Sequence, residues 1–369
     1  MPKKTIGILT HWSIPNFGAF LQAYALRNVL ENKFPNYEVR QIAYMNRVHY
    51  KMYYSLEVHE MFKYWYINPH FYFDVIKRVS RLKQFIDLYK FREYYNQIPH
   101  SAEFNKDNIC KASFDVVVLG SDILWDYSIS FYNNDKPVFG YLMNYKKIFS
   151  YAASFGTVKP NMIHPKYVCD GLLKLCGISV RDENSKQIAE SITNRVAELV
   201  LDPTLLWDFC SDRNVVNPKI SDYIAVYGSS FTEEQIESVK NYAKKNNYKI
   251  VFLDSIGDKC SWCDIYLDAS QISPFEWCGY IKNSNLVMTC TFHGLMFGLI
   301  FKKRIVFNPT NFMKDKCSEF LIYLNLGESL LQDNCFANQL EYKWDYDKIN
   351  KKIQSRRYTS FKFLESMLN

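Results

Sequence analysis

Short apolar runs alternate with stretches of helical period along this chain, and the alternation starts twice. "KTIGILT" reads as a buried strand, "AFLQAYALRNVLENKF" places Phe20, Leu21, Tyr24, Ala25, Val29 and Leu30 at helical spacing, and "EVRQIAY" returns as a strand. Parallel strands need a crossover that covers the sheet, so this opening predicts a βαβ unit. "FDVVVLG", "KIFSYAAS", "GISVRD" and "AELVLDP" continue the series, each ending in polar or glycine-bearing residues, where an open α/β sheet builds its ligand loops. The aperiodic, proline-bearing stretch "DFCSDRNVVNPKIS" interrupts it. "DYIAVYG", "YKIVFLD", "NLVMTC" and "RIVF" then begin a second series. Its helices include "TEEQIESVKNYAKKN", opened by the capping pattern Thr232 to Gln235, and "SPFEWCGYIKNS", with Pro274 in the first turn. The expected fold is therefore α/β with two doubly wound domains. They cover residues 1–207 and 221–344, joined by a linker at 208–220 and followed by a helical tail at 345–369.

Residues 47–98 break the first series. This insertion is dense in Tyr, Phe, Lys and Arg and reads as two or three helices. The net charge of the chain is +7, concentrated unevenly enough here to suit an anionic partner or an interface. Its acids, Glu57, Glu60, Asp74, Asp87 and Glu93, argue against a plain polybasic anchor, and no nucleic-acid recognition motif accompanies it. Hydrophobic residues make up 48% of the chain, the balance of a globular protein, yet no segment approaches the roughly 20 apolar residues of a spanning helix. The apolar run at the N-terminus is too short for a signal peptide, so the expected location is cytoplasmic. In that compartment the ten cysteines are read as thiols. Cys260 and Cys263 form a C-x-x-C, but a second pair at ligand spacing is missing and no metal site is expected.

The stretch "TCTFHGLMFGLIFKK" places His293 where the strand "NLVMTC" hands over to a short apolar helix. A side chain there lies beside exposed N–H groups and the positive helix pole, and can either cap the turn or serve a site. Gly294, without a Cβ, allows a ligand close to the backbone.

Six stretches in order carry a resemblance: "NFGAFLQAYAL", "VVLGSDILW", "SYAASFG", "ISVRDENS", "LVLDPTLLW" and "SPFEWCGYIKNSNLVMTCTFHGLMFGLIFKKRIVF". Together, from about Ile6 to Phe307, they resemble the polysaccharide pyruvyl transferase family. The resemblance implies two facing Rossmann-like domains similar to GT-B glycosyltransferases. It also implies transfer of a pyruvyl group from phosphoenolpyruvate to a sugar hydroxyl pair of a cell-surface polysaccharide precursor, giving a cyclic ketal. Phosphoenolpyruvate is the donor substrate, and no cofactor is implied.

On that reading Arg181, first out of the strand "GISV", anchors the doubly anionic donor, its other role being a partner for Asp182 or Glu183. His293 is the acid/base or phosphate-side catalytic group. Some relatives carry an arginine two residues before the His-Gly pair, where this chain has Thr291, so a phosphate contact there falls to Thr291, the backbone at Gly294, or Lys303. Asn16 and Gly18 open the first helix towards the acceptor, or simply make a tight turn. Asp122 orients a sugar hydroxyl or acts as a base, or caps a helix. Trp125 stacks on a sugar, or is buried. His11 is an acceptor-side residue and a second acid/base candidate, and Asp202 reads mainly as turn chemistry. The insertion suits the acceptor glycan, the inner membrane face where a lipid-linked acceptor resides, or a homodimer contact. Two other readings stay open: a nucleotide-sugar glycosyltransferase of the same architecture, and a noncatalytic glycan-binding relative.

Overall fold

The computed structural model describes residues 3–54, 82–130, 132–254, 260–331 and 336–369. Its first sheet contains β1 (Lys4–Leu9), β2 (Tyr37–Gln41), β3 (Ser113–Leu119) and β4 (Asn144–Ser150), all parallel, in the order β2-β1-β3-β4. Two short strands, β5 (Ser179–Val180) and β6 (Glu198–Leu199), extend it, tied on by the bond from Ser150 N to Gly177 O at 3.1 Å and by a bridge between Ala153 and Val180. The second sheet contains β7 (Tyr223–Tyr227), β8 (Lys249–Asp254), β9 (Ile265–Asp268), β10 (Leu286–Thr289) and β11 (Arg304–Phe307), again parallel, in the order β11-β10-β7-β8-β9. Each sheet grows in both directions from its first strand. That reversal opens a crevice at the carboxyl edge, where ligands enter such folds.

The crossovers are helical. The first half holds α1 (Phe17–Lys33), α2 (Arg47–Tyr54), α3 (Leu82–Asn96), α4 (Lys166–Leu173) and α5 (Glu183–Thr193). The second holds α6 (Glu233–Asn246), α7 (Pro274–Asn283), α8 (Phe292–Ile300), α9 (Asn311–Tyr323) and the short α10 (Gly327–Leu330) and α11 (Phe336–Glu341). A last helix, α12 (Tyr346–Leu368), returns to the first sheet. There Ser360 Oγ accepts the Leu201 amide at 2.9 Å, and Phe363 packs edge-on against Phe149. Within the insertion, α3 sets Phe91 and Tyr95 against Phe20 of α1, and residues 55–81 lie outside the described part.

Helix α1 explains how the halves meet. A helix exposed on one side is apolar along one stripe only, whereas α1 is apolar nearly all round because it is covered on both sides. Leu26, Val29 and Leu30 join Ile6, Ile8 and Val39 of the first sheet. Phe17, Phe20 and Leu21 join Tyr223, Trp277 and Phe297 of the second half, with Phe17 stacked on Trp277 at 5.6 Å. The N-terminus of α1 is thereby held beside the N-terminus of α8.

Leu364 of α12 is completely buried in the core that spans both halves. Leu364→Ala is expected to lower stability by about 2–5 kcal/mol in urea denaturation, and a loss under about 1 kcal/mol would contradict this packing.

Candidate active site

Strand ends of the first half and a helix start of the second converge on one cleft. The chain leaves β1 at His11, β3 at Asp122 and β5 at Arg181, while α8 begins at Phe292 and His293, and α9 adds Met313 and Lys316. Asn16, Tyr132 and, from the insertion, His49 and Tyr53 complete much of the wall. The cleft holds about 270 Å3.

Its floor is a buried charge cluster. Arg181 donates from one terminal nitrogen to Asp202 Oδ2 at 2.9 Å and from the other to Asp122 Oδ1 at 2.8 Å, and its guanidinium lies 4.4 Å from the centre of the Phe292 ring. Burial disfavours the charge on Asp122, but the Arg181 guanidinium beside it outweighs this and holds the carboxyl far below its ordinary range. Asp122 is therefore an ionised acceptor. Its backbone occupies the left-handed region at φ 76°, which places the carboxylate back over its own loop, where Oδ1 also accepts the Ile123 amide at 2.9 Å.

His293 sits above this cluster. Its Nε2 is 3.8 Å from Asp202 Oδ2 and, among the described residues, has no hydrogen-bond partner. Burial lowers its pKa and the two aspartates only partly restore it, so the imidazole is neutral at physiological pH. The ring is pressed against α1: a Cβ on Gly18 would stand 2.1 Å from His293 Nδ1. Gly18 thus serves the approach of the two helix ends. His11 stacks on Tyr132 at 5.3 Å and meets His49 edge-on at 5.9 Å. Burial lowers the pKa of both histidines, that of His49 to about 3.

Several expected site residues stand elsewhere or act differently. Arg181 lines the cleft with one terminal nitrogen on Asp202 and the other on Asp122, which it positions, while its buried Nε has no hydrogen-bond partner among the described residues; its partners are not Asp182 or Glu183. Lys303 is remote, its ammonium bonded to the Ser284 carbonyl at 2.9 Å before the start of β10. Thr291 is the N-cap of α8, its hydroxyl accepting the Gly294 amide at 3.1 Å. The space beside Gly294 is filled by Thr289 Oγ1, which a Cβ would meet at 2.1 Å, so this glycine serves packing. Trp125 is wholly buried, bonded through Nε1 to the Val138 carbonyl at 2.9 Å and stacked on Phe139. Asn16 lines the cleft while capping α1 by accepting the Ala19 amide.

Two residues given no site role from the sequence stand at the cleft, Lys316 in its lining and Asp202 beside His293 beneath it. Asp202 does make its turn, Oδ1 accepting the Thr204 amide at 3.0 Å, yet Oδ2 holds Arg181. Lys316 is buried on α9, with its Nζ 3.7 Å from the centre of the Phe312 ring, and burial pulls its pKa down to about 7. Its signal was a lysine four residues from both Phe312 and Phe320, within the apolar stripe of a helix. Cys260 and Cys263 lie away from the cleft against the outer core of the second sheet, and burial raises the Cys263 pKa, the reverse of a reactive thiolate.

Two parallel α/β sheets with a cleft between their carboxyl edges define a Rossmann-like architecture of the GT-B type. Solved UDP-N-acetylglucosamine 2-epimerases share this fold. One superposes with a TM-score of 0.54 at 10% identity over 100% of this chain and 96% of its own. A putative enzyme of that name from Listeria monocytogenes gives 0.50 at 10% identity, over 95% and 91%. No curated protein matches the chain. Residues 16–307 match the polysaccharide pyruvyl transferase family, and the chain belongs to it as a transferase. Among the described residues no helix is long and apolar enough to cross a membrane.

Removing the shared cation strands two buried carboxylates. Arg181→Met is expected to cost about 3–5 kcal/mol in chemical denaturation at neutral pH. The deficit should shrink as the pH falls through the carboxylate range, since the charge that loses its partner is then protonated. A pH-independent deficit would contradict the cluster.

Proposed function

We propose that the protein transfers the pyruvyl group of phosphoenolpyruvate to two hydroxyls of a sugar in a polysaccharide precursor, forming a pyruvate ketal and releasing phosphate. The observation that carries this reading is the convergence of His293 and the ionised Asp122 on one cleft, in a chain of this family.

The chemistry needs three assisted events. A proton is added to the vinyl CH2, an acceptor oxygen attacks the cation-like carbon beside the carboxylate, and phosphate leaves as the second hydroxyl closes the ring. Of the two hydroxyl protons given up, one balances the new methyl group and the other leaves with phosphate. In this reading His293 delivers the proton to the CH2 carbon. Asp122, fixed as an ionised acceptor, takes a hydrogen bond from the attacking hydroxyl and orients that oxygen, whose proton leaves with the phosphate. The N-terminal poles of α1 and α8 offset charge gathering on the leaving phosphate. His11 and the aromatic wall of Tyr53 and Tyr132 lie where a sugar ring would be covered, on the side of the cleft formed by the first half.

A neutral His293 is poised rather than inactive. The donor is strongly anionic, and its arrival raises the pKa of an adjacent imidazole, so the proton needed for the first step is taken up with the substrate. Acceptor-dependent phosphate release from phosphoenolpyruvate tests the reading, with polysaccharide repeat-unit sugars as acceptors. His293→Gln is expected to lower kcat roughly 100- to 10,000-fold, in the range of lost acid/base assistance. Unchanged turnover would remove His293 from the mechanism. A thermal shift with nucleotide sugars but none with phosphoenolpyruvate would replace the donor.

A further inference from the structure

A second cavity, of about 300 Å3, lies where the chain crosses between the halves, and it shares no lining residue with the catalytic cleft. Trp207 and Asp208 enter it from the end of the first half, and Leu299 and Ile300 from the end of α8. The last wall is one face of α12, where Asn350, Ile353, Gln354 and Arg357 follow at helical spacing. Because α8 begins at the cleft with His293, the two cavities stand at opposite ends of one helix.

The lining sorts by chemistry. Leu299, Ile300 and Ile353 give an apolar floor. Trp207 is half-buried beside it, its ring pinned because Nε1 donates to Asp212 Oδ2 at 2.7 Å. The hydrogen-bonding groups around this floor are open. Among the described residues the side-chain amides of Asn350 and Gln354 make no hydrogen bond. Asp208 uses Oδ1 for the Cys210 and Ser211 amides, at 3.0 and 3.3 Å, and leaves Oδ2 without such a partner. The cation, by contrast, is spent: Arg357 donates to the carbonyls of Leu205 at 2.5 Å and Leu206 at 3.0 Å. An anionic ligand would therefore meet the Asp208 carboxylate and no unengaged cation among the described lining residues. A ligand with an apolar face and a rim of uncharged hydroxyls suits the same walls. Its C–H face rests on the indole and the aliphatic floor, and its hydroxyls pair with two amides, each both donor and acceptor, and one carboxylate acceptor.

We propose that this cavity is a second saccharide site, which takes one neutral sugar residue and is separate from the cleft where the chemistry occurs. A sugar seated there touches the first half, the second half and α12 at once, and braces the far end of the helix that carries His293. The site does not depend on which donor the cleft uses.

Titration calorimetry and hydrogen–deuterium exchange with galactose, N-acetylglucosamine and glucuronate test it. At millimolar concentration at least one of the two neutral sugars should bind wild type and protect the segments around Trp207, Ile300 and Gln354. Glucuronate should bind roughly 10-fold more weakly or worse, because its carboxylate faces Asp208. The double variant Asn350→Leu, Gln354→Leu changes two water-facing side chains, so it should melt as wild type does and lose roughly 10-fold in neutral-sugar affinity. His293→Gln should keep that affinity. Asp208→Asn retains an oxygen for the Cys210 and Ser211 amides and should narrow the gap between neutral sugar and glucuronate, a readout that holds even if the double variant fails to fold. Protection confined to segments around His11, Asp122 and His293, with affinity lost in His293→Gln and intact in the double variant, would place the sugar in the catalytic cleft and overturn the proposal. Glucuronate binding wild type as tightly as the neutral sugars, or no binding of either neutral sugar, would overturn it as well.

Discussion

Everything in the cleft is arranged around one guanidinium held between two carboxylates. Arg181, Asp122 and Asp202 come from three different strand ends, and their side chains are almost wholly removed from water. Desolvating three charges is expensive, and a hydrophobic trio of the same volume would be at least as stable, so stability alone does not account for the cluster. What it provides is position. With Arg181 in place Asp122 is ionised and faces the cleft, and Asp202 lies under His293. Helix α1, covered on both sides along most of its length, then locks the two halves, and Gly18 lets the start of that helix lie directly on the imidazole.

Around this saturated centre the other ionisable groups are kept uncharged or nearly so. His11, His49 and His293 have lowered pKa values because they are buried, and Lys316 is brought near neutrality for the same reason. The cleft therefore carries no net positive charge, since one guanidinium and a partly protonated ammonium stand against two carboxylates. A strongly anionic ligand changes that balance: it stabilises the protonated forms of His293 and Lys316 and so brings its own counter-charges into existence. On the proposed reading such a site complements a donor that must be protonated to react, and a neutral ligand draws no such response.

The sequence carried the fold clearly, because strands buried on both faces must read as unbroken apolar runs and helices between parallel strands must be amphipathic or wholly buried. "NLVMTCTFHG" placed His293 at a strand-to-helix junction, and the structure puts it there. The partners were less legible. That Arg181 is engaged by Asp122 and Asp202 depends on strand order, which periodicity does not reveal. Lys303 attracted attention by following the apolar helix, but a residue at the far end of a helix that starts at the cleft is a helix length away from it. Trp125 was consumed by the core, as large aromatics at strand ends often are. Lys316 was detectable in principle as a charge inside an apolar stripe, yet nothing in the stripe alone says that its far side faces a cleft.

The most direct test of this charge-recruiting site is the proton count that accompanies donor binding. Titration calorimetry of the wild-type protein with phosphoenolpyruvate near neutral pH, in buffers of different ionisation enthalpy, reads that number from the dependence of heat on buffer. The account predicts net uptake of about one proton or more, because lowered imidazole and ammonium pKa values rise when the anion arrives. Binding heats that do not depend on the buffer, or a net release of protons, would mean that the cleft is already charged before the donor enters.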